Sequence, residues 1–379
     1  MTTIRRLLVI LAALAGAAVA LQGCGKPGSV EDTSGSGPPA LNRALAADPE
    51  SLDPQKGRST QAADVLRDIG EGLVTYTAAG ELVPGTAERW EISDDGRTYT
   101  FRIRADARWS NGDAVTAADF VFGLQRLVDP ATAAFYAAEL GNLVNAAAIV
   151  AGDKDPADLG VAAPDERTLV VSLQRPTPYL LSLLTHPSTF PVHRGSVAQH
   201  GDAFARPGTL LSNGAYVLAD WEPGAVIDLQ RNTHYWNDAE TSIDVVRYHV
   251  VTQEQAEFNR YRADELHVTS TVPPENFEQI RVDYAGELHV APTLGVYYYG
   301  FNLTRPPFAD NAELRQALSM AIDREVLVER ITGRGEAPAY SWVPPGVDNY
   351  EPVQLPYASL SQPERNAIAQ SLYRKAGYS

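Results

Sequence analysis

Between Asp95 and Pro130 the chain switches its apolar period once, and that switch constrains the fold more than any other feature. From Arg97 to Arg104, Tyr99, Phe101 and Ile103 alternate with Thr98, Thr100, Arg102 and Arg104. Successive side chains of a strand leave on opposite faces, so this spacing predicts a strand with one buried face. Asp95-Gly96 before it and Asn111-Gly112 after it are turn dipeptides. Thr116 to Asp119 then form an S/T-x-x-D start signal. Phe120, Val121, Leu124, Leu127 and Val128 follow at helical spacing, with Pro130 as the stop. A half-apolar strand and a half-apolar helix in succession each need a partner layer, so the chain must build a mixed core.

The same grammar continues. A hairpin is expected around Glu222-Pro223-Gly224, between Tyr216-Val217-Leu218 and Val226 to Leu229. Val246, Tyr248 and Val250 predict another strand, and Thr252 with Gln255 reads as a capping box opening a helix to about Arg262. Tyr297 to Leu303 reads as a strand in which Tyr298 faces opposite to its neighbours. Asp310 with Glu313 marks a helix start before the stripe Leu314, Ala317, Leu318, Ala321 and Ile322, with Gly333 or Gly335 ending the segment that continues it. A last helix begins near Gln362-Pro363-Glu364. Strands and helices without strict alternation argue for a mixed α/β class.

At 379 residues the chain is long enough for two or three domains. Its net charge of -16 repels phosphate backbones and argues against nucleic acid as a partner. The N-terminus carries targeting information. Arg5 and Arg6 precede an apolar run, Leu7 to Leu21, which is shorter than the about 20 residues of a spanning helix. The run ends in Leu21-Gln22-Gly23-Cys24, which reads as a lipobox, so residues 1–23 are expected to be a lipoprotein signal peptide and Cys24 the acylated first residue. Two acyl chains suffice for stable anchoring. Residues 24–40, rich in Gly, Ser and Pro, read as a flexible tether. Cys24 is the only cysteine, which excludes a disulfide and any cysteine-based metal site within the chain.

Motifs for chemistry do not assemble. The histidines at 186, 193, 200, 234, 249, 267 and 289 are scattered, and no H-E-x-x-H, G-x-S-x-G or Walker A sequence occurs. Paired acids such as Asp94-Asp95 sit at a turn. No catalytic residue, cofactor or metal ligand is assigned.

Several blocks resemble the oligopeptide-binding proteins of bacterial ABC importers, the peptide/nickel class of extracellular solute receptors. They are Glu50-Ser51-Leu52-Asp53-Pro54, Asp68 to Leu73, Ala87 to Trp90, Trp109 to Gly112, Thr116 to Val121, Ser212 to Tyr216, Arg231-Asn232 through Tyr235-Trp236, Tyr297 to Tyr299, Pro307-Phe308, and Arg315 to Arg324. They occur in order along residues 41–379. The resemblance implies a two-lobed periplasmic-binding-protein fold of the three-domain type. Residues 41–70 and 194–294 would form a discontinuous first domain, 71–193 an inserted second, and 295–379 the start of a third that the family continues further. In the family an aspartate in that later part meets the peptide α-amine, so this chain is expected to be a C-terminally shortened form.

What the resemblance implies for function is capture of short peptides. In the family an extended ligand pairs through its own backbone, with side chains in hydrated spaces. Arg58, Ser59 and Thr60 fall on a backbone-pairing segment, where the best-known receptors carry an acidic residue at the position of Arg58. Tyr136, Ser270, Thr271 and Tyr298 fall at ligand-facing positions, and Gly300 replaces an acidic one. Each has a plainer reading: Tyr136 as core packing, Arg58 to Thr60 as an exposed loop, Tyr298 as one face of a strand. Trp90, Trp109 and Trp236 read as structural. The implied partners are short peptides, permease and ATPase subunits and, through Cys24, a membrane, with the receptor a monomer in the periplasm or at the cell surface. A receptor for a nickel chelate, haem or a sugar, a cell-wall-peptide enzyme and a sensory receptor stay open as alternatives.

Overall fold

The computed structural model describes residues 40–291 and 293–379. The expected signal peptide, Cys24 and the expected tether up to residue 39 lie outside the described residues, and Ala40 already belongs to the first strand. The chain divides into two compact units. One holds residues up to Asn42 and Asp48–His249; the other holds Arg43–Ala47 and Val250–Ser379. Among the described residues no helix is long and apolar enough to cross a membrane.

The described residues contain two four-stranded sheets. In the first, strands run in the order β1-β10-β9-β8: β1 (Ala40–Leu45), β8 (Tyr216–Glu222), β9 (Val226–Arg231) and β10 (Val245–Val250). The hairpin expected at Glu222-Pro223-Gly224 joins β8 to β9, and Gly224 takes a left-handed φ of 78° there. The second sheet runs β4-β5-β7-β6, all antiparallel: β4 (Ala87–Ile92), β5 (Thr98–Ile103), β6 (Val161–Asp165) and β7 (Thr168–Ser172). A two-stranded ribbon, β2 (Val74–Tyr76) and β3 (Leu82–Pro84), precedes it.

The β5 alternation is realised: Tyr99, Phe101 and Ile103 are buried while Thr98, Thr100 and Arg102 are not. The apolar face of β5 meets α2 (Ala117–Val128), whose Phe120, Leu124, Leu127 and Val128 are fully buried in the same cluster. The Thr116–Asp119 capping box forms, so two of the helix's otherwise orphaned N–H groups are satisfied. Helix α1 (Thr60–Ile69) begins after Ser59, whose Oγ accepts from Ala62 N–H at 3.1 Å, and it buries Ala62, Val65, Leu66 and Ile69.

The end of α1 explains one motif glycine. A Cβ at Gly214 would lie 2.6 Å from Gly70 N, 2.7 Å from Ile69 C and 2.9 Å from Asp68 O. These are main-chain atoms with no freedom to step aside. Gly214→Ala is therefore expected to destabilise the first unit by about 2–3 kcal/mol, as overpacking does. Urea unfolding checks this, and a loss below about 0.5 kcal/mol would show that the close approach is not a constraint.

In the second unit, helices α4 (Glu254–Arg262), α5 (Phe277–Asp283), α6 (Ala312–Ala321) and α7 (Gln362–Lys375) dominate, α3 (Arg194–His200) belonging to the first unit. Helices α6 and α7 pack together around Leu314, Ala317 and Ala369, with Lys375 paired to Glu313 at 2.9 Å. Arg365 is buried between Glu325, at 2.7 Å, and the Tyr340 ring. Gly333 ends the preceding segment in a left-handed conformation.

Three local expectations are corrected here. Helix α4 starts after Gln253, and the Thr252–Gln255 box does not form; the Gln255 side chain instead donates to Asn259 and accepts from Asn276. Asn311, not Asp310, caps α6, accepting from Leu314 N–H at 3.0 Å. Tyr297 to Leu303 forms no strand, for no strand among the described residues lies beside it to take its hydrogen bonds. The alternation of side chains survives nonetheless. Tyr297 and Tyr299 meet each other with centroids 5.7 Å apart, while Tyr298 meets Trp342 at 4.6 Å.

Candidate functional site

The loop that leads into α1 is held from beneath by a buried ion pair. Asp53 is 2% exposed and takes a two-pronged contact from Arg126 of α2, at 2.8 and 3.1 Å. Gln55, fully buried, donates to the carbonyls of Ser188 and Phe190 and accepts from Arg126. The Asp53 carbonyl accepts from Lys56 and Gly57 N–H, which closes the turn. This turn delivers Arg58, Ser59 and Thr60 to the surface at the start of α1.

Glu50 fixes their main chain. Its carboxylate accepts from Arg58 N–H, from Ser59 N–H at 2.9 Å and from Ser59 Oγ–H at 2.5 Å. Burial works to raise the Glu50 carboxyl, but these donors outweigh it and hold the group below its ordinary value. From the segment that follows α2, Tyr136 donates its hydroxyl to the Arg58 carbonyl at 3.0 Å. The structure thus brings Arg58, Ser59, Thr60 and Tyr136 around one cavity of about 180 Å³, completed by Gly57, Ala63, Asp64, Leu66, Arg67, His186 and Pro187. Tyr136 is half-buried and stacks edge-on against His186, centroids 4.3 Å apart.

His186 is neutral. Burial, and after it the positive charge of Arg67, depress its basicity below the ordinary histidine value. Its Nδ1 accepts from Ser188 N–H at 3.2 Å, so the ring proton sits on Nε2. Arg67 lies 3.7 Å from Asp64. The Arg58 guanidinium forms no ion pair among the described residues.

The remaining expected site residues lie in the second unit. Ser270 donates its Oγ–H to Glu257 at 2.9 Å and its N–H to the same carboxylate; Thr271 N–H reaches it at 3.3 Å. Glu257 is 1% exposed, so this short segment is tied down as the Arg58–Ser59 segment is tied by Glu50. Thr271 Oγ1 accepts from Arg334 at 2.9 Å. Tyr298 is 59% exposed beside Trp342 and is not among the residues lining the 180 Å³ cavity. Among the described residues no group of three or more His, Cys, Asp or Glu side chains is disposed to hold a metal.

A family model, that of the middle part of bacterial extracellular solute-binding proteins, family 5, matches residues 81–379. The chain belongs to that family. As a family 5 protein it is 40% identical over 341 residues to the periplasmic oligopeptide-binding protein OppA of Escherichia coli K12, covering 89% of this chain and 62% of that protein. The chain therefore spans less than two thirds of the length of this relative. Among solved structures, Haemophilus influenzae OppA in complex with the peptide RPPGFSPFR is similar with a TM-score of 0.86 and 40% identity, over 90% of this chain and 67% of that one. The Escherichia coli murein tripeptide-binding protein MppA is similar with a TM-score of 0.87 and 39% identity, over 90% and 67%. The fold is the α/β class of these solute receptors, as the resemblance implied.

Within this family 5 chain several of the motif blocks build the core. Asn213 Nδ2 donates to the Glu71 carbonyl at 2.8 Å, and the Glu71 carboxylate accepts from Tyr235, Trp236 and Thr86. Three separate blocks thus meet at one buried residue, Asn213 at its main chain and Tyr235 and Trp236 at its carboxylate. Trp109 is 1% exposed, as a structural tryptophan should be. Four residues around the candidate sites went unassigned from sequence: Glu50, Arg67, His186 and Glu257. Two carried a signal. Glu50 stands directly ahead of Ser51-Leu52-Asp53-Pro54, and Thr60, Ala63, Asp64 and Arg67 recur at helical spacing on the face opposite to Ala62, Val65 and Ile69. His186 and Glu257 gave none, because their neighbours are distant in sequence.

Proposed function

We propose that the chain is the solute-capturing component of an ABC importer, taking short peptides in extended form and passing them to a membrane permease. The observation that carries this reading is the convergence of Arg58, Ser59, Thr60 and Tyr136 on one cavity, in a chain 40% identical to a receptor solved with a peptide. Ser270, Thr271 and Tyr298 are the ligand-facing groups we assign to the second unit. In this reading residues 71–193 are the inserted domain, which is supported by a sheet and a core cluster that both lie inside that span. The protein acts by binding and performs no catalysis; its relatives are named as binding proteins. Acylation at Cys24 would hold it outside the cytoplasmic membrane, facing the permease.

Main-chain recognition accounts for the chemistry of the site. The Tyr136 hydroxyl and the Glu50 carboxylate fix the Arg58–Ser59 backbone before any ligand arrives, so little ordering remains to be done on binding. Isothermal titration with a mixture of tripeptides and tetrapeptides is expected to show saturable heat. Tyr136→Phe, which frees the Arg58 carbonyl, is expected to weaken binding by about three- to tenfold, the worth of one hydrogen bond. Absence of both heat and thermal shift with every peptide tried would sink the reading.

A further inference from the structure

We propose that the cavity lined by Arg58, Thr60, Arg67, Tyr136 and His186 receives a carboxylate of the bound solute, so that acidic ligands are preferred to their neutral isosteres. The proposal rests on the solute-capture reading above and narrows its substrate class.

Two arginines and one aspartate are among the residues that line the cavity. That carboxylate, Asp64, is engaged with Arg67. Arg58 lines the same space with no counter-ion among the described residues. The nearest acid on its loop, Glu50, directs its oxygens to Arg58 N–H, Ser59 N–H and Ser59 Oγ–H. The neutral imidazole beside the space favours an acceptor as well. His186 lines the space with its Nδ1 turned to Ser188 N–H and Ser188 Oγ, which leaves Nε2–H as the donor of the neutral ring, while the Thr60 hydroxyl already donates to Gln61 Oε1 at 3.2 Å. An arginine with no ion-pair partner matches a carboxylate in charge, and its planar fork of N–H donors suits the two carboxylate oxygens. The chain's net charge of -16 opposes anions at long range, but it is screened over about 8 Å at physiological ionic strength. Inside the cavity the local arginines decide.

The carboxylate has two possible sources in a short peptide, an acidic side chain or the C-terminus, and one titration set separates them. Ala-Ala-Ala, Ala-Glu-Ala, Ala-Gln-Ala and Ala-Lys-Ala are each titrated into the full chain as the free acid and as the C-terminal amide. A preference of about tenfold for Ala-Glu-Ala over Ala-Gln-Ala in both forms assigns the side chain; the same preference for acids over amides assigns the C-terminus. Arg58→Gln is expected to remove most of that preference and R58E to reverse it towards Ala-Lys-Ala. Both replace an exposed side chain and leave the backbone bonds to Glu50 and Tyr136 in place, and an unchanged melting temperature verifies the fold. Equal affinity of Ala-Glu-Ala and Ala-Gln-Ala, together with equal affinity of each free acid and its amide, overturns the proposal while leaving peptide capture standing. No binding by any of the peptides overturns both.

Discussion

Asp53→Ala is expected to lower the melting temperature of the first unit by about 10 °C, from a loss of about 3–5 kcal/mol. The reason lies in what the substitution leaves behind. The Arg126 side chain is 13% exposed and that of Asp53 only 3%, so the guanidinium would keep its charge in a place water scarcely reaches. The loss is then the cost of an unpaired buried charge rather than the net worth of the pair. A control makes the distinction: Asp53→Leu combined with Arg126→Met removes both charges and is expected to recover most of the stability, since well-packed apolar pairs often match a buried ion pair. Equal stability of the single and double variants would show that the pair is not what holds this loop. Peptide affinity should also fall in Asp53→Ala, because the 53–57 turn presents Arg58.

How much of this was legible depends on the range of the interaction. The strand Thr98–Ile103 and the helix Ala117–Val128 could be read because their burial follows from spacing within one segment. The Thr116–Asp119 box was read correctly because both partners are local, yet the same logic misplaced the helix starts at Thr252 and Asp310. There the deciding contacts were other side chains: Asn259 and Asn276 take Gln255, and Asn311 outcompetes its neighbour as the cap. Tyr297 to Leu303 has strand composition, but a strand also needs a neighbouring edge, which no residue within it encodes. The candidate cavity shows the same limit. Arg58 and Tyr136 are 78 residues apart, and the Asp53–Arg126 pair that supports the cavity joins the same two stretches. Their types could be matched to a family; their meeting, and the addition of His186 and Arg67, is a product of the folded core.

The second large effect is expected at Glu71, where the three motif blocks converge. Glu71→Ala would strand Trp236 Nε1–H, the Thr86 hydroxyl and the Tyr235 hydroxyl, which reach its carboxylate at 2.8, 2.9 and 2.5 Å. With these donors losing their acceptor in the interior, a loss of about 3–5 kcal/mol is expected. Glu71→Gln keeps the shape and isolates the charge. Burial pushes the Glu71 carboxyl above its ordinary value of 4.5, even though the three donors and the nearby Arg104 pull the other way. The sign of the pH effect follows. Below about pH 4.5 the group is protonated whether the chain is folded or not, and its contribution is fully present. As pH rises the unfolded chain ionises first while the folded chain keeps its proton, so stability falls until the folded pKa is passed. Tyr235 stays protonated throughout, its own acidity suppressed by burial and then by Glu71. Urea unfolding in steps from pH 4 to 8 should therefore show the native chain losing stability relative to Glu71→Gln above pH 4.5. Parallel curves over that whole range would mean that the proton is not held as burial demands, and that the three donors, not desolvation, set the charge at this junction.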